Sequence, residues 1–151
     1  MTDSQGVPQA SLGRLYLMRQ TGQQTGRVAD VNGDGLNDVI ASLEAHGWGL
    51  AWFEQKRGAN RETSWVQHMI IDDLASKNPG GVAISEIHAI TTADVDNDGV
   101  TDVIAGKRLF SHLDSYTDPD PHGEAVLYVF RTVRDKRAPG GARFTPLLVH
   151  N

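Results

Sequence analysis

No cysteine occurs among the 151 residues. That excludes a disulfide framework, a thiolate zinc site and a cysteine nucleophile, and it leaves the compartment open. A surplus of positive charge is missing too: 14 Lys and Arg stand against 19 Asp and Glu, a formal net charge of −5. Readers of nucleic acid usually carry a basic face, so no nucleic-acid partner is expected. No apolar run approaches the roughly eighteen residues that a membrane span requires. The opening stretch MTDSQGVPQASLGRLYLMRQTGQQTG has no basic segment followed by a long apolar one, so no secretion signal is recognisable in it. The 39% hydrophobic and 22% charged residues suit one ordinary domain with a real core.

The chain does contain an internal repeat. ADVNGDGLNDVI at Ala29–Ile40 returns as ADVDNDGVTDVI at Ala93–Ile104, sixty-four residues later. Counting Asp30 as position 1, oxygen-bearing side chains fall at positions 1, 3, 5 and 9: Asp30, Asn32, Asp34 and Asp38. The second copy places Asp94, Asp96, Asp98 and Asp102 at the same offsets. Position 6 is Gly35 or Gly99, where a sharp turn needs a residue tolerant of positive φ. Position 7, Leu36 or Val100, offers a backbone carbonyl.

Such a set converges hard oxygens on one point, as Ca²⁺ requires with its six to eight oxygen ligands. Without a cation the like charges repel. Two bound Ca²⁺ would move the net charge from −5 to about −1. Asp-Gly and Asn-Gly clusters also serve plain turns, but two copies at identical offsets favour a pair of calcium loops. An EF-hand would need a bidentate Glu at position 12 and flanking helices. Position 12 is Ala41 or Ala105, preceded by β-branched Val-Ile, so each loop feeds a strand.

The repeat extends past the loops. In the first unit DVIASL, GLAWFEQ and WVQHMII alternate as strands; in the second, HAITTAD precedes the loop, and DVIAGKR, AVLYVFRTV and RFTPLLVH follow it. Val39 matches Val103 at offset 64, whereas Phe53 matches Phe130 at 77 and Trp65 matches Phe144 at 79. The growth in offset locates an insertion within SHLDSYTDPDPHGE of the second unit. Each unit reads as a four-stranded antiparallel meander with a calcium loop at its first hairpin, the signature of a propeller blade. The first unit lacks a convincing inner strand, since QQTGRVAD is short and polar. The expected fold class is all-β: two four-stranded antiparallel propeller-like blades, over 26–80 and 81–151, after an N-terminal segment 1–25.

These residues resemble the FG-GAP/VCBS repeats of calcium-bearing β-propellers, over about residues 26–150. HGWGLAWFEQ, EIHAITTADVDNDGVTDVIAGKRLFSH and AVLYVFR are similar to a bacterial FG-GAP subgroup whose members are mostly exported. The same stretch is more loosely similar to the propeller of aldos-2-ulose (anhydrofructose) dehydratases. The resemblance implies two structural Ca²⁺ ions and a module that binds carbohydrate or protein. Propellers close with four to eight blades, so two blades imply a homo-oligomer or further neighbouring blades.

Strand alternation sends the remaining polar residues to the end away from the loops. His88 opens the inner strand of the second unit; Lys107, Arg108 and His112 follow its second strand, and His46 follows the equivalent strand of unit one. Imidazole beside Lys and Arg suits proton abstraction α to a carbonyl with stabilisation of the oxyanion. His88, Lys107, Arg108 and His112 are therefore the candidate catalytic set of an alternative reading. In it the chain is a lyase or dehydratase acting on an oxidised sugar or uronic acid derivative. For each residue alone, a solvated strand end is the plainer account. Asp114, Asp118, Asp120, His122 and Glu124 read as an irregular exposed loop rather than another cation site, and Trp48, Trp52, Phe53, Trp65, Phe130 and Phe144 as core rather than sugar platforms.

Overall fold

The computed structural model describes residues 26–43, 47–73, 78–107 and 122–151. Its strands are β1 (Gly26–Ala29), β2 (Asp38–Ser42), β3 (Leu50–Arg57), β4 (Thr63–Ile71), β5 (Ala89–Ala93), β6 (Asp102–Lys107), β7 (Val126–Arg134) and β8 (Ala142–His150). They form two four-stranded sheets in the orders β1-β2-β3-β4 and β5-β6-β7-β8, with every neighbouring pair antiparallel. Both are all-β meanders, as the repeat predicts. The inner strand of the first sheet forms as the fold class requires, although its sequence signal is weak. It is only four residues long and mostly exposed, which is why its sequence carries no apolar alternation.

The period-2 pattern sets the register. Ile40 lies opposite Trp52, and Trp52 opposite His68; Val39 lies opposite Phe53. In the second sheet Val103 faces Phe130, and Ile104 faces Val129. One core joins the sheets: Ile40, Leu50, Trp52 and Ile71 pack with Ile90, Val103, Phe130 and Phe144. A smaller cluster of Ala41, Ala51 and Phe53 occupies the other face of the first sheet. Repeat-mates thus point opposite ways relative to the shared core. Ile40 belongs to it while Ile104 does not, and Val103 belongs to it while Val39 packs on the smaller cluster. The two units therefore present non-equivalent faces to each other.

The crossover between sheets is held by the buried amide of Asn78. It accepts from Asp72 N at 2.9 Å and donates to the carbonyls of Asp72 and Val82, both at 2.8 Å. The turn that follows, Pro79–Gly81, needs Gly80 in particular. Its φ is +63°, and a Cβ there would lie 2.8 Å from Pro146 of β8. Val82, Ile84 and Ile87 then add apolar surface to the core.

Candidate metal centre

The two acidic loops join β1 to β2 and β5 to β6, and they share hydrogen bonds at positions 1, 5 and 9. Asp30 accepts from the backbone amides of Gly33, Asp34 and Gly35 at 2.7, 3.1 and 3.0 Å. Asp94 accepts from Asp98 and Gly99 at 3.1 and 2.9 Å. Asp34 and Asp98 each accept from the amide two residues on, Leu36 and Val100, at 2.8 Å. Gly35 and Gly99 have φ of +81° and +83°, as position 6 requires. Position 4 is also left-handed in both, Gly33 at +82° and Asn97 at +59°, a demand the side-chain spacing does not announce.

Position 9 ties each loop to its sheet. Asp38 accepts from Val31 N at 3.0 Å and from Gln55 N of β3 at 2.9 Å. Asp102 accepts from Val95 N at 3.1 Å and from Thr132 N of β7 at 2.8 Å. Both carboxylates are buried. Burial pushes the Asp38 carboxyl above its ordinary value against those two amide donors, and the charges of Asp34 and Asp30 push the same way. The acids of the first loop thus add charge repulsion to the cost of burying Asp38.

A cation fits the donor set of the second loop. Two oxygens bound to one Ca²⁺ at 2.3–2.6 Å can lie at most about 5 Å apart. Asp94, Asp96 and Asp102 each offer a carboxylate oxygen, all within 4.8 Å of one another. In the first loop Asn32 replaces one of these carboxylates with an amide oxygen, which keeps the donor hard and lowers the charge.

Position 3 has partners that the spacing alone does not reveal. Asn32 Nδ2 donates to Glu54 Oε1 of β3 at 2.9 Å and to the Gly140 carbonyl at 3.1 Å. Glu54 also takes Lys56 and, at 2.9 Å, His68 Nε2. Burial works to raise the Glu54 carboxyl, but hydrogen bonds from Lys56 and His68, together with their charges, leave it below the usual range. In the second loop Asp96 instead takes the guanidinium of Arg131. The first loop is also gripped from the second sheet: Arg134 of β7 donates to the carbonyls of Asp30 at 3.0 Å and Val31 at 3.4 Å.

At the opposite end of the sheets, Lys107 is the last residue of β6 and its ammonium is buried. It lies 3.4 Å from Ser85 Oγ and 3.8 Å from Glu86 Oε1. His88 directly precedes β5, whose first pair is Ala89 with Gly106, so His88 and Lys107 occupy neighbouring strand ends. Ser85 and Glu86, missed in the sequence reading, supply polar contacts to Lys107 here. Glu86 is buried at φ +54°, and its N–H donates to the Gly47 carbonyl at 2.8 Å. Arg108, His112 and His46 lie outside the described residues, as do Asp114, Asp118 and Asp120. Trp52, Phe53, Phe130 and Phe144 are core residues, as expected.

Two stacked antiparallel meanders, each with an acidic turn at its first hairpin, define a pair of propeller-like blades that do not close into a ring. The chain belongs to the FG-GAP-like repeat family, whose sequence pattern matches residues 30–105, about half of its length. Neither a curated protein nor a solved structure matches it. No helix among the described residues is long and apolar enough to cross a membrane.

Proposed function

We propose that the chain is a calcium-stabilised interaction module of the FG-GAP-like repeat family, with one Ca²⁺ in each acidic loop. The observation that carries the reading is the oxygen cluster of Asp94, Asp96 and Asp102, with its counterpart loop built on the same hydrogen bonds. The ligands would be the side chains of Asp30, Asn32, Asp34 and Asp38 with the Leu36 carbonyl, and those of Asp94, Asp96, Asp98 and Asp102 with the Val100 carbonyl. The ion would neutralise acids that otherwise repel, and so hold each first hairpin against its sheet.

Partners of this module are carbohydrate or protein surfaces, including further blades of its own kind. Exported compartments, where extracellular modules bind Ca²⁺ at roughly 10⁻⁴–10⁻³ M, suit such loops. The binding reading is preferred to the lyase because Lys107, a cation of the candidate catalytic set, is only 6% exposed and already faces Glu86. Calorimetric titration tests the proposal, with two sites expected. At ~1 mM free Ca²⁺ each would add about 0.4–1.4 kcal/mol. Fewer than two sites, or a melting temperature indifferent to chelator, would overturn it.

A further inference from the structure

The residues that meet position 3 of the two loops are themselves repeat-mates. Glu54 of β3 and Arg131 of β7 are separated by 77 residues, the same offset that relates Phe53 to Phe130. Each stands on the third strand of its sheet, next to the loop of that sheet. Their charges are opposite, and so are the groups they meet. Glu54, an acceptor, takes the Nδ2 donor of Asn32; Arg131, a donor, gives to Oδ2 of Asp96. In the first loop Glu54 engages Nδ2 and leaves Oδ1 turned into the loop, where it accepts from Asp34 N at 3.0 Å; in the second, Arg131 engages Oδ2 of Asp96.

We infer that Glu54 and Arg131 are positioning residues that aim the position-3 oxygen of each cation loop, and that the pairs Asn32–Glu54 and Asp96–Arg131 are matched sets that cannot be mixed. The inference rests on the calcium reading above. Its physical content is preorganisation: a side chain already held in its binding orientation loses less freedom when the ion arrives. A mismatched pair turns the side chain away, and binding must first turn it back. Asp at position 32 would set a carboxylate against Glu54 and the Gly140 carbonyl, with no donor between them. Asn at position 96 would oppose its NH₂ group to a guanidinium, or else turn its only oxygen away from the loop.

Opposing predictions separate this arrangement from simple charge counting. On charge alone, Asn32→Asp strengthens loop one by adding a carboxylate. Aimed ligands predict the reverse: Asn32→Asp weakens loop one several-fold, and Glu54→Gln in the same chain restores it, because the Gln amide can donate to the new carboxylate. Arg131 is the more exposed partner, with 39% of its side chain accessible, so the fuller exchange is made there. Asp96→Asn and Arg131→Glu should each weaken loop two. Together they install the loop-one pair and should bind more tightly than the product of the two single effects, by on the order of tenfold for groups in contact.

The measurement is Ca²⁺ titration of the full chain by calorimetry, with the unmutated loop as internal control and thermal unfolding in chelator as the check on folding. A gain in loop-one affinity on Asn32→Asp, or strictly multiplicative effects in the loop-two cycle, overturns the inference while leaving the calcium reading intact. Absence of Ca²⁺ binding in the unsubstituted chain overturns both.

Discussion

Gly140 lies where the second sheet meets the first, and replacing it by Ala tests that contact directly. A Cβ at this position would lie 2.7 Å from both His68 Nε2 and Trp52 Cζ2. Those two rings are stacked with centroids 4.5 Å apart, so neither yields without disturbing the other. The backbone is left-handed, φ +69°, which costs an L-residue roughly 1–2 kcal/mol before any clash. Moving His68 also forfeits its hydrogen bond to the buried Glu54 carboxylate, worth roughly 1.5–3 kcal/mol when one partner is charged. Gly140→Ala should therefore destabilise by about 3–5 kcal/mol.

Gly81→Ala is the control. Its φ is +72°, but nothing lies within 4 Å of the added methyl, so only the backbone term of about 1–2 kcal/mol applies. The two variants should differ by roughly 4–12 °C in melting temperature, at about 2–4 °C per kcal/mol for a chain of this size. Urea unfolding in saturating Ca²⁺ would read the same gap as a shift in midpoint at constant slope. Combining Gly140→Ala with His68→Ala should shrink the excess, since the clash and the lost hydrogen bond share one partner. Equal destabilisation by Gly140→Ala and Gly81→Ala would refute the close contact between the sheets.

Asp98→Ala should remove one calorimetric site and leave the other near its original affinity; loss of both would mean that the loops act as one. Phe130→Ala, in the core shared by both sheets, should cost about 3–5 kcal/mol in urea unfolding and destabilise both units together in one transition. Arg134→Met should lower the affinity of loop one but not of loop two, because the Arg134 guanidinium donates to the Asp30 and Val31 carbonyls of loop one. On the outward face of the second sheet, Leu147→Lys should leave the unfolding free energy within about 0.5 kcal/mol of the parent while reducing any self-association seen by sedimentation.

The acidic loops were legible because their acceptors sit at fixed offsets along a single stretch of chain. Strands β2, β3, β6 and β7 were legible for a similar reason, since Val39-Ile40, Trp52-Phe53 and their mates alternate between two apolar faces. Strand β1 was hard to read because its contribution is backbone pairing to β2, with Val28 63% exposed. The partners of position 3 were hidden for another reason. Glu54 and Arg131 lie on third strands, 22 and 35 residues from Asn32 and Asp96, and alternation names a face without naming what that face meets. Arg134 and Gly140 were further out of reach, because they touch loop one from the other sheet. Ser85 and Glu86 lie in an irregular crossover, where no period marks a buried carboxylate.

The packing of non-equivalent faces of the two units into one core gives the molecule a direction. The face bearing Ile40 and Trp52 meets the face bearing Val103 and Phe130, and these two surfaces are not copies of each other. Any association that reuses this contact between molecules is head-to-tail: it either closes into a ring or runs on as a filament, and a two-fold dimer cannot satisfy it. A chain altered only on the outward face of its second sheet would still be accepted by a growing stack at one end and would refuse the next arrival at the other. Such a chain is a terminator, and small doses of it would shorten open assemblies far out of proportion to its share of the mixture.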